Sequence, residues 1–370
     1  MNQDRRTCYV MIGGFLGAGK TTAVDAMAKE LTARGLKVGL ITNDQSSGLV
    51  DTAVLRARGY AVEEIAGGCF CCRFPSLHEA ARRLDEQTRP DVFLAEPVGS
   101  CTDLVATVSY PLRRIYGDHF RVAPLSVLVD PSRAARILGI ADGRAFSDKV
   151  VYVYEKQLEE ADIIVVNKCD VIDDELKTQL VTTLSKRFPQ AHVLCASAKV
   201  ETGIQPWLDQ VMAHEGATRA TMELDYEIYA EGEALLGWLN ATYSIDDREP
   251  FDGNALLLRL TESLRERIAA QGAEIAHLKM TLDSGGPLGM LSVVSVVSSE
   301  EEPDLRESLL DLVPGGSLIV NLRAEMDPDT LSELVADAIA SENIELRKEH
   351  EEHFRPAPPT PTHRISVEAP

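Results

Sequence analysis

The chain has 370 residues, 45% hydrophobic and 26% charged, enough at ~150 residues per domain to bury sizeable cores in roughly two domains. No run of about 18 apolar residues occurs, which argues against a bilayer-spanning helix. Acidic side chains outnumber basic ones 58 to 37, and residues 221–340 alone carry 24 against 7, so phosphate backbones and anionic lipid are poor partners; the excess is either a solubilising surface or a docking face for a basic partner.

At the N-terminus, MNQDRRTCYVMIGGFLGAGK runs from a short apolar stretch straight into a glycine-rich motif, unlike a signal peptide, and a cytoplasmic location is expected. In chain order, CYVMI (8–12) leads into a helical pattern to about Arg34. Next come the apolar runs KVGLIT (37–42), DVFLAE (91–96), PLSVLVD (124–130), ADIIVVNK (161–168) and HVLCAS (192–197). Helical patterns at 75–88, 147–160, 173–187 and 204–214 fill the crossovers, which predicts βα units and a mostly parallel sheet buried on both faces. A boundary near 216–222 gives a first domain over 1–220, an acidic α+β domain over 221–341 and an extended, proline-rich tail over 342–370. The second domain reads as strand (224–230), helix (254–271), strands (274–283 and 290–298), helix (303–313), strand (316–323) and helix (328–341), a βαββαβ order that predicts a smaller ferredoxin-like fold. In the tail, His350 and His353, beside Glu351, Glu352 and His363, are either an i, i+3 metal-binding pair on a helix face or a solvated helix end before a strap.

GFLGAGKT, Gly14 to Thr21, fits GxxxxGK[ST] between a predicted strand and a predicted helix and is a Walker A loop, making the first domain an α/β P-loop NTPase. Gly14, Gly17 and Gly19, with Ala18 between them and Thr22 in the first helical turn, let backbone N–H groups face phosphates. Lys20 reaches the β/γ-phosphates, and Thr21 offers its hydroxyl to Mg²⁺. NKCD, Asn167 to Asp170, follows the strand DIIVV. The Asp170 carboxylate can accept from guanine N1–H and its 2-amino group, so ATP in place of GTP or GDP leaves it unpaired, at a cost of order 1–3 kcal/mol or more. Lys168 is expected along the ring face, and Ser197, Ala198 and Lys199 are expected to offer a backbone donor to guanine O6.

Glu96 ends an apolar strand, where its carboxylate can hold Mg²⁺ or a water of its shell; Asp130, ahead of Pro131, reads as a helix N-cap. Seven cysteines, an odd number, argue against a disulfide framework. Cys69, Cys71 and Cys72 offer three soft thiolates from one loop, which favours Zn²⁺ or another late first-row ion such as Co²⁺, Ni²⁺ or Cu⁺. A tetrahedral ion needs a fourth ligand, from water, Glu63 or Glu64, a second subunit or a client; the competing readings are a redox-active cluster and a purely structural loop. Cys8, Cys101, Cys169 and Cys195 are scattered in apolar or motif contexts, and Cys8 and Cys195 read as small buried hydrophobes.

The Walker A loop, GGCFCC (67–72), AEPVG (95–99) and NKCD together resemble the CobW-like branch of the SIMIBI-class GTPases, related to the UreG and HypB nickel-insertion GTPases, over roughly residues 7–215. The resemblance implies that Cys69, Cys71 and Cys72 bind a transition metal, that Glu96 is the Walker B acid and that Gly99 senses the γ-phosphate. Asp44 sits where related GTPases put a switch acid that orients water or Mg²⁺, and equally suits a turn-forming residue. The expected activity is slow GTP hydrolysis, through Lys20, Glu96 and Asp44, coupled to metal handling or to assembly of a metal or corrinoid enzyme. The expected partners are a protein client and, in a nucleotide-dependent homodimer, a second copy. Two features depart from the family: NDQSSGLVD (43–51) replaces an Asn-Glu and Gly-rich switch, and there is no histidine-rich metal store. The alternative is a nucleotide-gated remodelling chaperone with structural or redox cysteines and no metal delivery.

Overall fold

The structure is a computed structural model and describes residues 6–43, 45, 55, 56, 58–285 and 291–368. The chain divides into two compact units: Met1–Asp142 with Val151–Tyr229 and Pro359–Pro370, and Gly143–Val150 with Ala230–Pro358.

The first unit is built on the run TCYVMIGG, which forms β1 (Thr7–Gly14), buried along nearly its whole length as a central parallel strand covered on both faces must be. There follow α1 (Lys20–Ala33), β2 (Val38–Asn43), β3 (Ala61–Ile65), α2 (Phe74–Thr88) and β4 (Val92–Glu96). A π-helical turn, Val105–Ser109, runs into α3 (Tyr110–Tyr116), then β5 (Phe120–Val122), β6 (Ser126–Val129), α4 (Pro131–Ile137), α5 (Asp148–Glu159), β7 (Ile163–Val166), α6 (Asp174–Arg187), β8 (His192–Cys195) and α7 (Ile204–Ala213). The sheet order is β3-β2-β4-β1-β6-β7-β8, with β5 also beside β1, and every pairing is parallel. Val10, Ile12, Leu94, Leu128 and Val165 of the sheet pack with Met27 and Leu31 of α1 and Trp207 and Leu208 of α7. Strand order reverses at β1, between β4 and β6, and the loops that carry the motifs leave the carboxyl ends of these strands, the usual place for a ligand in such a sheet.

A strand was expected over 224–230, but a helix, α8 (Tyr226–Leu235), forms there. The Asp225 carboxylate accepts from Glu227 N at 2.9 Å and Ile228 N at 3.1 Å, an N-cap that overrides the strand-like alternation of LDYEIY.

The second unit is an antiparallel sheet, in the order β12-β11-β10-β13-β9-β14. Its elements are β9 (Gly237–Phe251), α9 (Gly253–Ala270), β10 (Ile275–Asp283), β11 (Leu291–Val296), β12 (Asp304–Glu307), β13 (Val313–Ala324), α10 (Pro328–Ala340) and β14 (Leu346–Phe354). The four strands β10-β13-β9-β14 with crossover helices α9 and α10 make the split βαβ arrangement of a ferredoxin-like fold, and β11 and β12 extend it. Both helices pack on one face over Leu239, Leu278, Val320 and Leu322. The helix expected over 303–313 is instead β12 and a loop: Pro303 precedes it, and Leu305 pairs in register with Val294 of β11. Residues 346–354, expected in an extended tail, form β14, paired antiparallel with β9. That overturns the helical readings of His350 and His353, because residues three apart on a strand face opposite sides; His353 Nε2 lies 3.1 Å from the Asp329 carboxylate. Among the described residues, no helix is long and apolar enough to cross a membrane.

Candidate functional site

Between β1 and α1 the chain turns through conformations that require glycine. Gly14 has φ 133° and a Cβ there would lie 2.4 Å from Leu128 O; Gly19 has φ 90° and a Cβ would lie 2.5 Å from Asn167 Nδ2. No side chain caps the N-terminus of α1. Lys20 is buried and its Nζ donates to Phe15 O at 3.4 Å. Arg133, at 2% exposure, donates to Leu16 O and lies over the Phe15 ring, 5.2 Å from its centroid. This brace on the Walker A loop comes from α4 and carries no sequence signature.

Thr21 Oγ1 donates to Glu96 Oε1 at 3.0 Å. Two oxygens at adjacent corners of an octahedron with ~2.1 Å bonds sit about 3.0 Å apart, so this pair fits Mg²⁺. After Glu96 the chain folds back on the Walker A loop at Gly99, where a Cβ would lie 2.9 Å from Leu16 N. Gln157 Nε2, from α5, donates to Gly99 O and to Cys101 O, both at 2.9 Å, and fixes this segment.

The second motif loop is tied to the first by one buried side chain. Asn167 Nδ2 donates to Ala18 O at 2.8 Å, and its Oδ1 accepts from Ala198 N at 3.0 Å, so it joins the Walker A loop to residues 197–199. Lys168, at φ 55°, donates to Asp130 Oδ2 at 2.7 Å, while Asp130 Oδ1 accepts from Arg133 N at 2.9 Å. Asp130 is therefore the expected N-cap and also an anchor for Lys168. Burial pushes its carboxyl up, but Lys168 and Arg133 outweigh that and hold it below the ordinary range. Ser197 and Ala198 are buried, Thr21 and Thr22 half-buried, and Asp170 and Lys199 exposed. Asp44 lies outside the described residues.

The cysteines of GGCFCC converge. Cys69 Sγ lies 2.7 Å from Cys71 Sγ and 3.2 Å from Cys72 Sγ, and Cys71 and Cys72 are 3.7 Å apart. Tetrahedral zinc with ~2.3 Å bonds separates its sulfurs by about 3.8 Å, so the triad accepts the ion if Cys69 moves out by up to about 1 Å. All seven cysteines are free. Side-chain hydrogen bonds, first from Cys101 and then from Cys71 and Cys72, hold the Cys69 thiol below its ordinary range, whereas its own bonds to Cys101 and Cys69 push Cys71 up. Glu63, one candidate fourth ligand, is ion-paired with Arg83 at 2.7 Å. Cys8 is buried as expected; Cys195 is only half-buried.

The C-terminal residues of this unit lie across the cluster. Thr360 N donates to Cys72 Sγ at 3.2 Å, Thr362 N to Cys71 O at 2.9 Å and Thr362 Oγ1 to Cys72 O at 3.0 Å; His363 packs edge-on against Phe74.

A parallel sheet with a Walker A loop between its first strand and first helix, and an Asn-Lys-x-Asp loop beside it, defines a P-loop nucleotide-binding protein of the SIMIBI class. Residues 8–194 match the family profile described as CobW/HypB/UreG, nucleotide-binding domain, and the chain belongs to that family. It is 30% identical over 182 residues to a zinc chaperone CobW from Sinorhizobium sp., covering 44% of this chain and 51% of that protein. It is 23% identical over 221 residues to a zinc-regulated GTPase metalloprotein activator from Dictyostelium discoideum, covering 51% and 46%. The chain spans about half the length of the curated relatives it matches. Among solved structures it is similar to HypB from Helicobacter pylori in complex with nickel, with TM-score 0.43 and 19% identity over 59% of this chain and 92% of that one.

Proposed function

We propose that this chain binds and hydrolyses GTP and couples that cycle to handling a thiolate-bound metal, Zn²⁺ or another late first-row ion, for a protein client. The observation that carries the reading is the presence in one compact unit of the Walker A loop, joined through Asn167 to the 197–199 loop, and of the three-sulfur cluster of Cys69, Cys71 and Cys72. Membership of a family whose relatives include a zinc chaperone and a zinc-regulated GTPase supports it.

The backbone N–H groups of Gly17 to Thr22 and the Lys20 ammonium hold the triphosphate, and Thr21 and Glu96 hold Mg²⁺, which when bound neutralises charge on the β/γ-phosphate oxygens. Asp170 accepts from guanine N1–H and the 2-amino group, Lys168 covers the ring, and the backbone of Ser197, Ala198 and Lys199 donates to O6. Asp44 orients the attacking water. The acidic second unit offers the client a docking face.

The test is calorimetric titration with GTP and ATP in the presence of Mg²⁺, with metal analysis of protein purified without chelator. GTP is expected to bind more tightly by roughly 5–150-fold (~1–3 kcal/mol), and metal is expected to be lost when Cys69, Cys71 and Cys72 become serine. Equal affinities for the two nucleotides, or equal metal content in the triple variant, would sink the reading.

A further inference from the structure

The three-sulfur loop has a buried side and a reachable side. Cys69 and Cys71 are 7% and 1% exposed, and Phe70 and Phe74 are buried beside them, whereas Cys72 is half-buried. Three sulfurs leave a tetrahedral ion one ligand short, so an incoming ligand reaches the open position past Cys72. The C-terminal residues lie on that side. Pro359 and Pro361 have no N–H to offer, while Thr360 and Thr362 direct theirs to Cys72 Sγ at 3.2 Å and to Cys71 O at 2.9 Å. The Thr362 hydroxyl donates to Cys72 O at 3.0 Å. Farther along, Arg364 Nε donates to Asp103 Oδ2 at 2.8 Å, Ile365 N to Ala106 O at 2.9 Å, and Val367 O accepts from Thr221 N at 2.9 Å. Yet no residue from Thr360 to Glu368 is buried. Polar contacts on the surface hold this stretch, and it can lift without opening a cavity in the core, as segments of low local stability do.

We infer that residues 360–365 are a removable cover of the metal site, which controls the exchange of ligands at the ion held by Cys69, Cys71 and Cys72. The inference rests on the metal-handling reading above and deepens it by assigning its regulation to the C-terminal residues. With the cover down, Thr360 and Thr362 fix the one accessible cysteine and lie across the approach to the open position. A metal-bound thiolate accepts a hydrogen bond more strongly than a thiol, so the Thr360 N–H holds the loaded site more firmly than the empty one. With the cover lifted, the buried aromatic side chains keep the loop in place and the fourth position faces an incoming ligand. Arg364 ties the cover to the segment after Glu96, and a displacement of Asp103 withdraws the carboxylate it grips.

The test measures two rates on the full chain: transfer of Zn²⁺ from the loaded protein to an excess of a chromophoric chelator, and alkylation of Cys72 in the metal-free protein, read by mass spectrometry. Thr362→Pro removes both contacts of that residue with the cysteine loop and is expected to raise each rate roughly 5–150-fold, since each bond shifts the closed–open equilibrium by roughly 2–12-fold. Arg364→Ala, which removes the bond to Asp103, is expected to raise both by about 10-fold or more. Thr362→Ser keeps the N–H and the hydroxyl and is expected to match the wild type. If Thr362→Pro does not fold, Arg364→Ala decides alone. Wild-type rates in these variants would overturn the inference while leaving the metal-handling reading intact. Failure of the wild type to take up Zn²⁺ would remove both.

Discussion

Glu160 follows α5 directly and is 3% exposed. Its carboxylate accepts from Val105 N at 2.9 Å and the Thr102 hydroxyl at 3.2 Å, next to the Asp103 carboxylate. Arg219 donates to its backbone carbonyl and not to its carboxylate. Burial, with Asp103 adding to it, pushes the carboxyl from its ordinary 4.5 up to about 8. Because the folded value is raised, the folded chain binds more protons than the unfolded chain between those two values. Stability is therefore fully present below the unfolded pKa and is lost as pH rises, by up to about 1.4 kcal/mol per unit between them. The whole window amounts to an upper figure of order 5 kcal/mol, and the part from pH 5.5 to 7 to about 2 kcal/mol. Glu160→Gln removes the titration while keeping a carbonyl acceptor for Val105 N–H. The variant is expected to gain on the wild type steadily as pH rises, and by a few kcal/mol at pH 8. Denaturant unfolding of both proteins at several pH values gives the difference, in which the other ionisable groups cancel. A difference that stays constant from pH 5 to 8, or a variant less stable at pH 8, would refute the argument.

Lys20→Ala is expected to lower kcat for GTP about 10²–10³-fold with the fold retained, read by phosphate release and circular dichroism. Asp170→Asn is expected to weaken GTP by roughly 10–200-fold and leave ATP nearly unchanged in calorimetry, since only guanine uses both of its oxygens. Gly19→Ala, with its Cβ driven against Asn167 Nδ2 at φ 90°, is expected to lose about 1–3 kcal/mol of thermal stability together with nucleotide affinity; an unchanged melting temperature would contradict it.

The parallel sheet was legible because β1, β4, β6 and β7 are short apolar runs, each ending in or followed by a residue with a strong local signature: glycine, glutamate, aspartate-proline or asparagine. Thr21 Oγ1 donates to Glu96 Oε1, and Ala198 N donates to Asn167 Oδ1, so residues far apart in the chain are hydrogen-bonded at the ends of these strands. The second unit was harder to read because its strands carry charge. The polar half of β9, TYSIDDREPF, and the whole of β14, LRKEHEEHF, do not read as apolar runs, and their strand character comes from pairing with each other and, for β9, with β13. Asp225 shows the opposite case, in which an alternating pattern yields to a capping side chain. At the site, Arg133 and Gln157 escaped notice for one reason. Each acts through a tertiary contact, on Leu16 O or on Gly99 O, and no spacing within the chain encodes it.

The residues after Glu96 are held from several sides at once. Gly99 rests on the Walker A backbone at Leu16. Gln157 holds the Gly99 and Cys101 carbonyls, and Glu160 holds Thr102 and Val105. Asp103 between them adopts φ 63°, a left-handed conformation that costs a non-glycine residue about 1–3 kcal/mol. Its carboxylate accepts from Tyr226 Oη at 2.7 Å and from Arg364 Nε at 2.8 Å, charge-assisted bonds that offset the strain. Arg364 belongs to the same C-terminal stretch that donates to Cys71 O and Cys72 Sγ, and its neighbour Ile365 donates to Ala106 O. The segment is thus clamped from α5 on one side and from the C-terminal residues on the other. A stretch fixed at so many points does not absorb a displacement of Gly99 by local bending; it moves as a unit or stays put, which is the behaviour that energetic coupling between two sites requires.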